Sequence, residues 1–330
     1  MSAAGWMARR DEGAYSREIC DRGATTPAST PRRKAAPEYF LGTLLKHVVN
    51  PYQKFVSAIA EAASKGKALP QGGIIKPKNK PPSPDAPVVM LVSPHPDDEC
   101  ITGGLPLRLM RESGMRIVNV AVTLGSNQER RAARATELKN ACDWIGFELE
   151  EAALENIVPH TRQHGAQTWS AAIKTIAALI SKHKPRAIVF PHERDWHPTH
   201  IGTHLLVMDA LRRLPLDFKT ILIETEFWGQ LLTPNLMVEL SPGDVADLLA
   251  ALSHHAGEMQ RNPYHLRLPA WLQDNVRRGS ELVGGKGAAA PDFVFATLYW
   301  VQKWQNGGVK EMFRGGTQIS AKDSPGSILE

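Results

Sequence analysis

The feature that most constrains this chain is a short apolar run that ends abruptly in charge. Val88-Val89-Met90-Leu91-Val92 leads directly into Ser93-Pro94-His95-Pro96-Asp97-Asp98-Glu99. An apolar run of this length, bounded by turn formers, reads as a strand buried on both faces, the habit of parallel sheets. Parallel strands require long crossovers, so the neighbouring sequence has to supply helices. In open α/β sheets, ligands gather beyond the carboxyl ends of strands, and this strand delivers an imidazole and three carboxylates there. Adjacent carboxylates beside a histidine repel one another unless a cation or a shared proton relieves them. The stretch therefore reads as half of a metal site.

The chain that follows alternates in period. Helices are expected at residues 101–113, with Pro106 in the first turn, and at 128–146, stopping at Gly146. Further helices are expected at 169–183, 201–213 and 244–255. Between them, 116–124, 187–191 and 220–227 read as strands, with a short one near 148–154. This alternation predicts an α/β fold: a Rossmann-like, mainly parallel sheet with helices on both faces. No GxGxxG follows a strand, so a dinucleotide is not implied, and Gly284-Gly285-Lys286-Gly287 lacks the spacing of a P-loop. Residues 293–300 fit a buried strand or a helix equally.

Composition bears mainly on the flanks. The 330 residues suffice for one large α/β domain with extensions. Much of the net charge of +5 comes from Lys65, Lys67, Lys76, Lys78 and Lys80. No aromatic residues interleave with these lysines, so they read as a solvated linker and no nucleic-acid partner is expected. No apolar run approaches the roughly 18 residues of a membrane span. Cys20, Cys100 and Cys142 are far apart and form no CxxC pair, which excludes a disulfide framework and a thiolate zinc site. The start of the chain lacks the apolar core of a secretory signal, so the expected location is cytoplasmic.

The expected organisation is a disordered basic tail (1–37), a helical extension (38–65), a Pro/Lys-rich linker (66–87), the catalytic domain (88–304) and a flexible C-terminal tail (305–330). In the extension, Leu41, Leu44, Leu45 and Val48, then Phe55, Ile59 and Ala62, follow helical spacing, and Pro51 should break or kink the segment. Such a helix would pack on the body or on a partner, with a membrane surface as the alternative.

The other half of the metal site falls after the strand at 187–191, in His192-Glu193-Arg194-Asp195-Trp196-His197-Pro198-Thr199-His200-Ile201-Gly202-Thr203-His204. Pro198 suits the first position of a helix, which puts His197 at its start and His200 in its first turn. His200 and His204, four apart, share a helix face. A lone histidine at a helix start is more often a cap, and an Asp pair after a strand commonly caps the next helix. Two such segments at matching strand ends favour a mixed His/carboxylate site suited to zinc, with a position open for water. His160 and His164, without apolar periodicity around them, are expected in an exposed loop, and His254-His255 at a helix C-terminus near the pocket.

The two motifs, in this order, resemble the His-Pro-Asp-Asp-Glu and His-Pro-Asp-His motifs of the PIG-L/LmbE-like zinc-dependent deacetylases. Arg134-Ala135-Thr136-Glu137-Leu138 is similar to the family's Arg-x-x-Glu-Leu helix, and Glu226-Phe227-Trp228 and the helix ending at His255 also look like family features. The resemblance covers about residues 86–300. It implies an LmbE-like fold and removal of an acetyl group from an N-acetylglucosamine-type sugar or sugar conjugate. It also implies His95, Asp98 and His200 as ligands of one Zn2+ per chain, and Asp97 as general base. His197 would polarise the carbonyl, stabilise the oxyanion or protonate the leaving amine. Arg134 resembles an arginine that contacts substrate, and Glu226 and Trp228 are further substrate candidates. Glu99, Asp195 and His204 are expected to support the ligands from behind. Thr199 stands where the family usually has Asp, and Asp195 is placed to take over that carboxylate's part.

Fe2+ would also accept two histidines and one carboxylate. The expected partner is a small N-acetylated sugar or conjugate, and a homo-oligomer is compatible with the sequence. Two other functions stay open. One is a non-catalytic, partner-binding protein that keeps zinc as structure, against which Asp97 and His197 speak. The other is a metal-dependent phosphoesterase, which would hold two metals bridged by carboxylates.

Overall fold

Strand β1 (Val88–Ser93) is buried along its whole length in the computed structural model, which describes residues 50–78, 80–313 and 315–330. The chain divides into residues 1–51 and a unit of residues 52–330. The expected tail at 1–37 and the first part of the helical extension lie outside the described residues. Helix α1 (Pro51–Gly66) is the rest of that extension, and Pro51 opens it rather than kinking it. Proline is tolerated there because the first helical N–H has no partner to lose. Only Gly66 of α1 is buried, against Leu266, and its carbonyl accepts from His265 Nε2 at 3.0 Å.

The second unit continues with α2 (Asp98–Ile101), α3 (Gly104–Ser113), β2 (Arg116–Ala121), α4 (Arg131–Ile145) and β3 (Glu148–Glu151). Then come α5 (Pro159–His164), α6 (Ala166–His183), β4 (Ala187–Pro191), α7 (Pro198–Leu211) and β5 (Thr220–Thr225). The last part holds β6 (Leu236–Leu240), α8 (Pro242–Leu252), α9 (Ala256–Arg261), α10 (Tyr264–Leu282), β7 (Phe295–Gln305), β8 (Gly308–Glu311) and β9 (Thr317–Ile319).

The strands lie in the order β3-β2-β1-β4-β5-β7-β6-β9, with β8 beside β7. From β3 to β5 all pairs are parallel, and β7 runs antiparallel to both β5 and β6. Helices cover both faces. Residues of α3, α4, α8 and α10 pack with Val89, Leu91 and Ile223, whereas α6 and α7 pack with Met90, Val92 and Leu222. The chain leaves β1 for β2 on one flank and later returns to β4 on the other. The strand order therefore switches between β1 and β4, where Val89, Met90 and Leu91 pair with Ala187, Ile188 and Val189. Ligand sites in sheets of this kind lie in the crevice that such a switch opens.

Four local expectations change. The helix expected at 101–113 begins only at Gly104, after the short α2 has ended at Ile101, with Pro106 in its first turn, where its missing N–H costs no bond. The ambiguous 293–300 segment lies mostly in β7, and ladder bonds to two neighbours decide what periodicity could not. His160 and His164 lie on the short helix α5 rather than in a loop, with rings 4.6 Å apart. The supposed flexible tail is anchored: β8, β9 and a 3-10 turn at Pro325–Leu329 follow β7, and Ile328 and Leu329 are buried. Arg186 Nε donates to the Leu329 carbonyl at 2.8 Å. Tertiary pairing has overridden the local bias of a Gly/Ser-rich composition. No described helix is long and apolar enough to cross a membrane.

On the α6/α7 side of β5 lies Glu224, whose pKa is raised from the ordinary 4.5 to about 8 by burial first and by Glu193 second. Between those values the folded chain keeps a proton that the unfolded chain has released. Stability attributable to this group therefore falls as pH rises through that window, then levels off. The full shift corresponds to on the order of a few kcal/mol. Glu224→Gln is expected to flatten the decline, measured as urea midpoints at about pH 5 and about pH 8. Identical declines in the two proteins would refute this.

Candidate metal-binding active site

Beyond β1 the chain turns sharply into α2. Asp97 occupies the N-cap of α2 with φ 115°, a left-handed conformation that non-glycine residues rarely adopt. Such a residue stores on the order of 1–3 kcal/mol of strain and persists only where its surroundings hold it. Glu99 does so: Asp97 N donates to Glu99 Oε2 at 2.9 Å, and Glu99 Oε1 lies 2.6 Å from His255 Nε2, both side chains fully buried. Asp98 turns the other way, and its Oδ2 accepts from His95 N at 2.9 Å.

Beyond β4, His197 caps α7, its Nδ1 accepting from Thr199 N at 3.2 Å, with Pro198 at the first helical position. Asp195 Oδ1 accepts from His197 N at 2.8 Å and its Oδ2 from Gly229 N at 3.3 Å. His200, in the first turn of α7, brings its Nδ1 to 3.6 Å from Asp195 Oδ2.

The parallel register brings the two segments together. Ring centroids are 4.8 Å apart for His95–His197, 5.3 Å for His95–His200 and 5.2 Å for His197–His200. Asp98 Oδ2 lies 3.4 Å from both His95 Nδ1 and His200 Nε2. A tetrahedral zinc ion with bonds of about 2.0–2.1 Å sets its ligand atoms about 3.4 Å apart. His200 Nε2 is buried with no hydrogen-bond partner among the described residues, the kind of orphan that calls for an ion or a water. Asp195 Oδ2 faces the other ring nitrogen at 3.6 Å, which leaves the Nε2 lone pair for a cation.

His197 differs, since its Nδ1 is the acceptor and the proton of the neutral ring belongs on Nε2. The donor set thus divides: His95, Asp98 and His200 suit a cation, and His197 suits a hydrogen-bond donor. A second cluster of possible ligands, Glu99, Cys100 and His255, is closed by its own hydrogen bonds.

The electrostatics agree with a cationic occupant. Burial works to raise the pKa of Asp98, but the His200 and His95 imidazoles hold it down at about 2. Burial opposes charge on His200, yet Asp98 and Asp195 raise its pKa above the usual imidazole value. Carboxylates that favour a proton there also favour a divalent ion. Burial, then the His95 and His200 imidazoles, lower His197 to about 4. Burial, then the adjacent Asp98, push Asp97 well above the ordinary carboxylate range, against the pull of Arg134.

Around this centre the expected residues fare differently. Arg134 reaches the site wall, donating to the Pro96 carbonyl at 2.9 Å. Its guanidinium fills the space beside Gly125 (φ +87°), where a Cβ would stand 2.2 Å from Nη1. Trp228 stays half-exposed, its ring 4.8 Å from Phe227, and Trp196 is open to solvent. Glu226, expected to touch substrate, is buried with both oxygens bonded to Arg278 and to Leu231 N, so it serves the loop that follows β5. His204 bonds to the Pro191 carbonyl at 3.1 Å and stacks on Phe190, which places it beneath the site rather than behind a ligand.

Glu258, on α9 and not expected at the site, pairs with Arg130 at 3.3 Å and faces Arg134 at 3.9 Å. Phe227, likewise unexpected there, stacks its ring on His200 at 5.9 Å. Glu258 sits in no local pattern that sets it apart from an ordinary charged residue, and Phe227, although within the Glu226-Phe227-Trp228 stretch, carries no local sign that its ring faces His200.

Residues 90–211 match the family profile described as PIG-L, GlcNAc-PI de-N-acetylase. The match spans both halves of the candidate site. A probable N-acetyl-α-D-glucosaminyl L-malate deacetylase 2 of Bacillus cereus is 24% identical over 230 residues, spanning 66% of this chain and 98% of the relative. A 1D-myo-inositol 2-acetamido-2-deoxy-α-D-glucopyranoside deacetylase of Thermobifida fusca is 28% identical over 154 residues, 37% of this chain and 53% of the relative. Beside that relative, only about half the length is matched. Among solved structures, the zinc-inhibited form of teicoplanin deacetylase Orf2 is similar with a TM-score of 0.50 at 13% identity, covering 66% of this chain and 98% of that one. GalB, the 4-carboxy-2-hydroxymuconate hydratase of Pseudomonas putida, reaches 0.51 at 15% identity, covering 65% and 95%. These likenesses establish the fold alone, which carries more than one chemistry.

The strained turn at Asp97 has a measurable anchor. Glu99→Ala is expected to cost about 1–3 kcal/mol or more, because it leaves the buried His255 Nε2 and the Asp97 N–H without their hydrogen-bond partner. Urea denaturation of the two proteins measures this, and an unchanged midpoint would remove Glu99 from its supporting role.

Proposed function

We propose that this chain is a zinc-dependent N-deacetylase that hydrolyses the acetamido group of an N-acetylglucosamine-type sugar or sugar conjugate to free amine and acetate. The observation that carries the reading is the convergence, at the β1/β4 switch, of three cation-suited side chains with a carboxylate suited to moving a proton, Asp97, and a hydrogen-bond donor, His197. His95, Asp98 and His200 would hold one divalent ion per chain, and Fe2+ fits the same donors. When bound, the ion supplies a water acidified towards neutrality and polarises a carbonyl.

Asp97 acts as the base in this scheme. Its high affinity for a proton lets it accept one from the attacking water and return it later. His197, neutral above about pH 4, keeps Nε2–H as a donor to the carbonyl oxygen as charge develops there. A group with so low a pKa is a poor proton store at neutrality. The proton that reaches the departing amine is therefore assigned to Asp97. The bond broken is the amide C–N bond: the water oxygen ends in acetate, and the water's two protons end on the amine, one delivered by Asp97 and the other released when the product acid ionises.

The sugar is proposed from the activities of the similar deacetylases and from Arg134 and Trp228 at the rim, which offer a donor and an apolar face. The phosphoesterase alternative needs two bridged metals, and the second ligand cluster is already closed by hydrogen bonds.

Amine release from a panel of N-acetylglucosamine conjugates tests the reading. Zinc-loaded wild type is expected to release amine and acetate, and chelation should abolish release. Asp97→Asn is expected to keep its zinc and lose about 10²–10⁴-fold in kcat. Full activity in Asp97→Asn, or a wild type that takes up no divalent metal, would overturn the assignment.

A further inference from the structure

We infer that the buried Glu226–Arg278 pair is a positioning device that sets the orientation of His200 through the loop following β5. The inference rests on the metal-site reading above. Glu226 lies just past β5 and Arg278 on α10, and both side chains are at least nine-tenths buried. Arg278 Nη1 donates to Glu226 Oε1 at 2.7 Å and Nη2 to Oε2 at 3.1 Å, a bidentate arrangement. Glu226 Oε2 also accepts from Leu231 N at 2.7 Å, while Arg278 Nη2 reaches the Leu231 carbonyl at 3.3 Å. One ion pair thus ties residue 226 to residue 231 and closes the loop between them.

That loop is what touches the metal site. Gly229 N donates to Asp195 Oδ2 at 3.3 Å, and its carbonyl accepts from His192 Nε2 at 3.0 Å. The same Oδ2 of Asp195 faces His200 Nδ1 at 3.6 Å. The fit is close: a Cβ on Gly229 would stand 2.8 Å from the Arg194 carbonyl oxygen and from Asp195 Cα. Two residues earlier, Phe227 stacks on the His200 ring at 5.9 Å. His200 is therefore braced by the loop twice, by Phe227 on its face and by Gly229 through Asp195.

A buried ion pair is a poor device for stability alone, since desolvation offsets most of its attraction. Its bidentate geometry does define a single loop conformation. Partners that orient a metal-ligating imidazole typically contribute 10–100-fold to metal affinity.

The test measures zinc affinity of the full-length protein by competition with a chromophoric chelator, alongside the thermal midpoint and the separate kcat and KM values. Glu226→Gln and Gly229→Ala are both expected to weaken zinc binding by about tenfold or more. The comparison variant is Glu112→Gln, which breaks the remote pair with the buried Arg108 and is expected to lower the midpoint at unchanged zinc affinity. Zinc affinity equal to wild type in Glu226→Gln, with only a lowered midpoint, would make the pair a structural brace and overturn the inference. If Glu226→Gln does not fold, Gly229→Ala decides in the same way. A wild type without zinc affinity would instead overturn the metal-site reading, and the inference with it. That result is visible before any variant is compared.

Discussion

The parallel pairing of β1 with β4 is the contact on which the rest of this molecule depends. Each strand alone ends in a polar turn that could serve as an ordinary helix cap. Side by side and in register, the two turns bring His95, Asp98, His197 and His200 to within a few ångströms of one another. The register is enforced by burial on both faces. Val89 and Leu91 belong to one core and Met90 and Val92 to the other, so a one-residue slip would exchange the contents of both.

Once the strand ends are adjacent, electrostatics takes over. Asp98 sits among imidazoles and is held ionised, whereas Asp97, one residue away, is pushed towards its protonated form. Two neighbouring carboxylates thereby acquire opposite tendencies from surroundings alone, the pattern by which acid–base roles are divided in enzymes. The left-handed turn at Asp97 is part of the same arrangement, because it sends consecutive side chains in different directions. Glu99 and His255, from the same turn and from the end of the α8 region, hold that turn in place without facing the cation-suited donors.

Support for the second half of the site comes from farther away in sequence. Asp195 braces His200, Gly229 bonds to Asp195, and Glu226 with Arg278 closes the loop that contains Gly229. α10 thus acts on the site without contributing a side chain to its centre. The antiparallel β7 performs a comparable service for the sheet, since it pairs with β5 and continues the sheet beyond the parallel strands.

The local sequence was sufficient for what depends on neighbours in the chain. Hydrophobic period and breakers placed β1, β4, the body of α4 and the body of α6, and the spacing of His95, Asp97, Asp98, His197 and His200 marked them as a candidate centre. Pro198 and His197 announced the start of α7 because capping is a property of adjacent residues. Only the tertiary structure decided what depends on distant partners. It turned Glu226 from a substrate candidate into one half of a buried ion pair, because its partner lies 52 positions away. It moved His204 under the strand, brought Phe227 and Glu258 to the site, and ordered a C-terminal stretch that composition marks as loose. The division has a physical cause. Backbone preference and capping act within a few residues, while burial and ion pairing act on whatever the fold brings together.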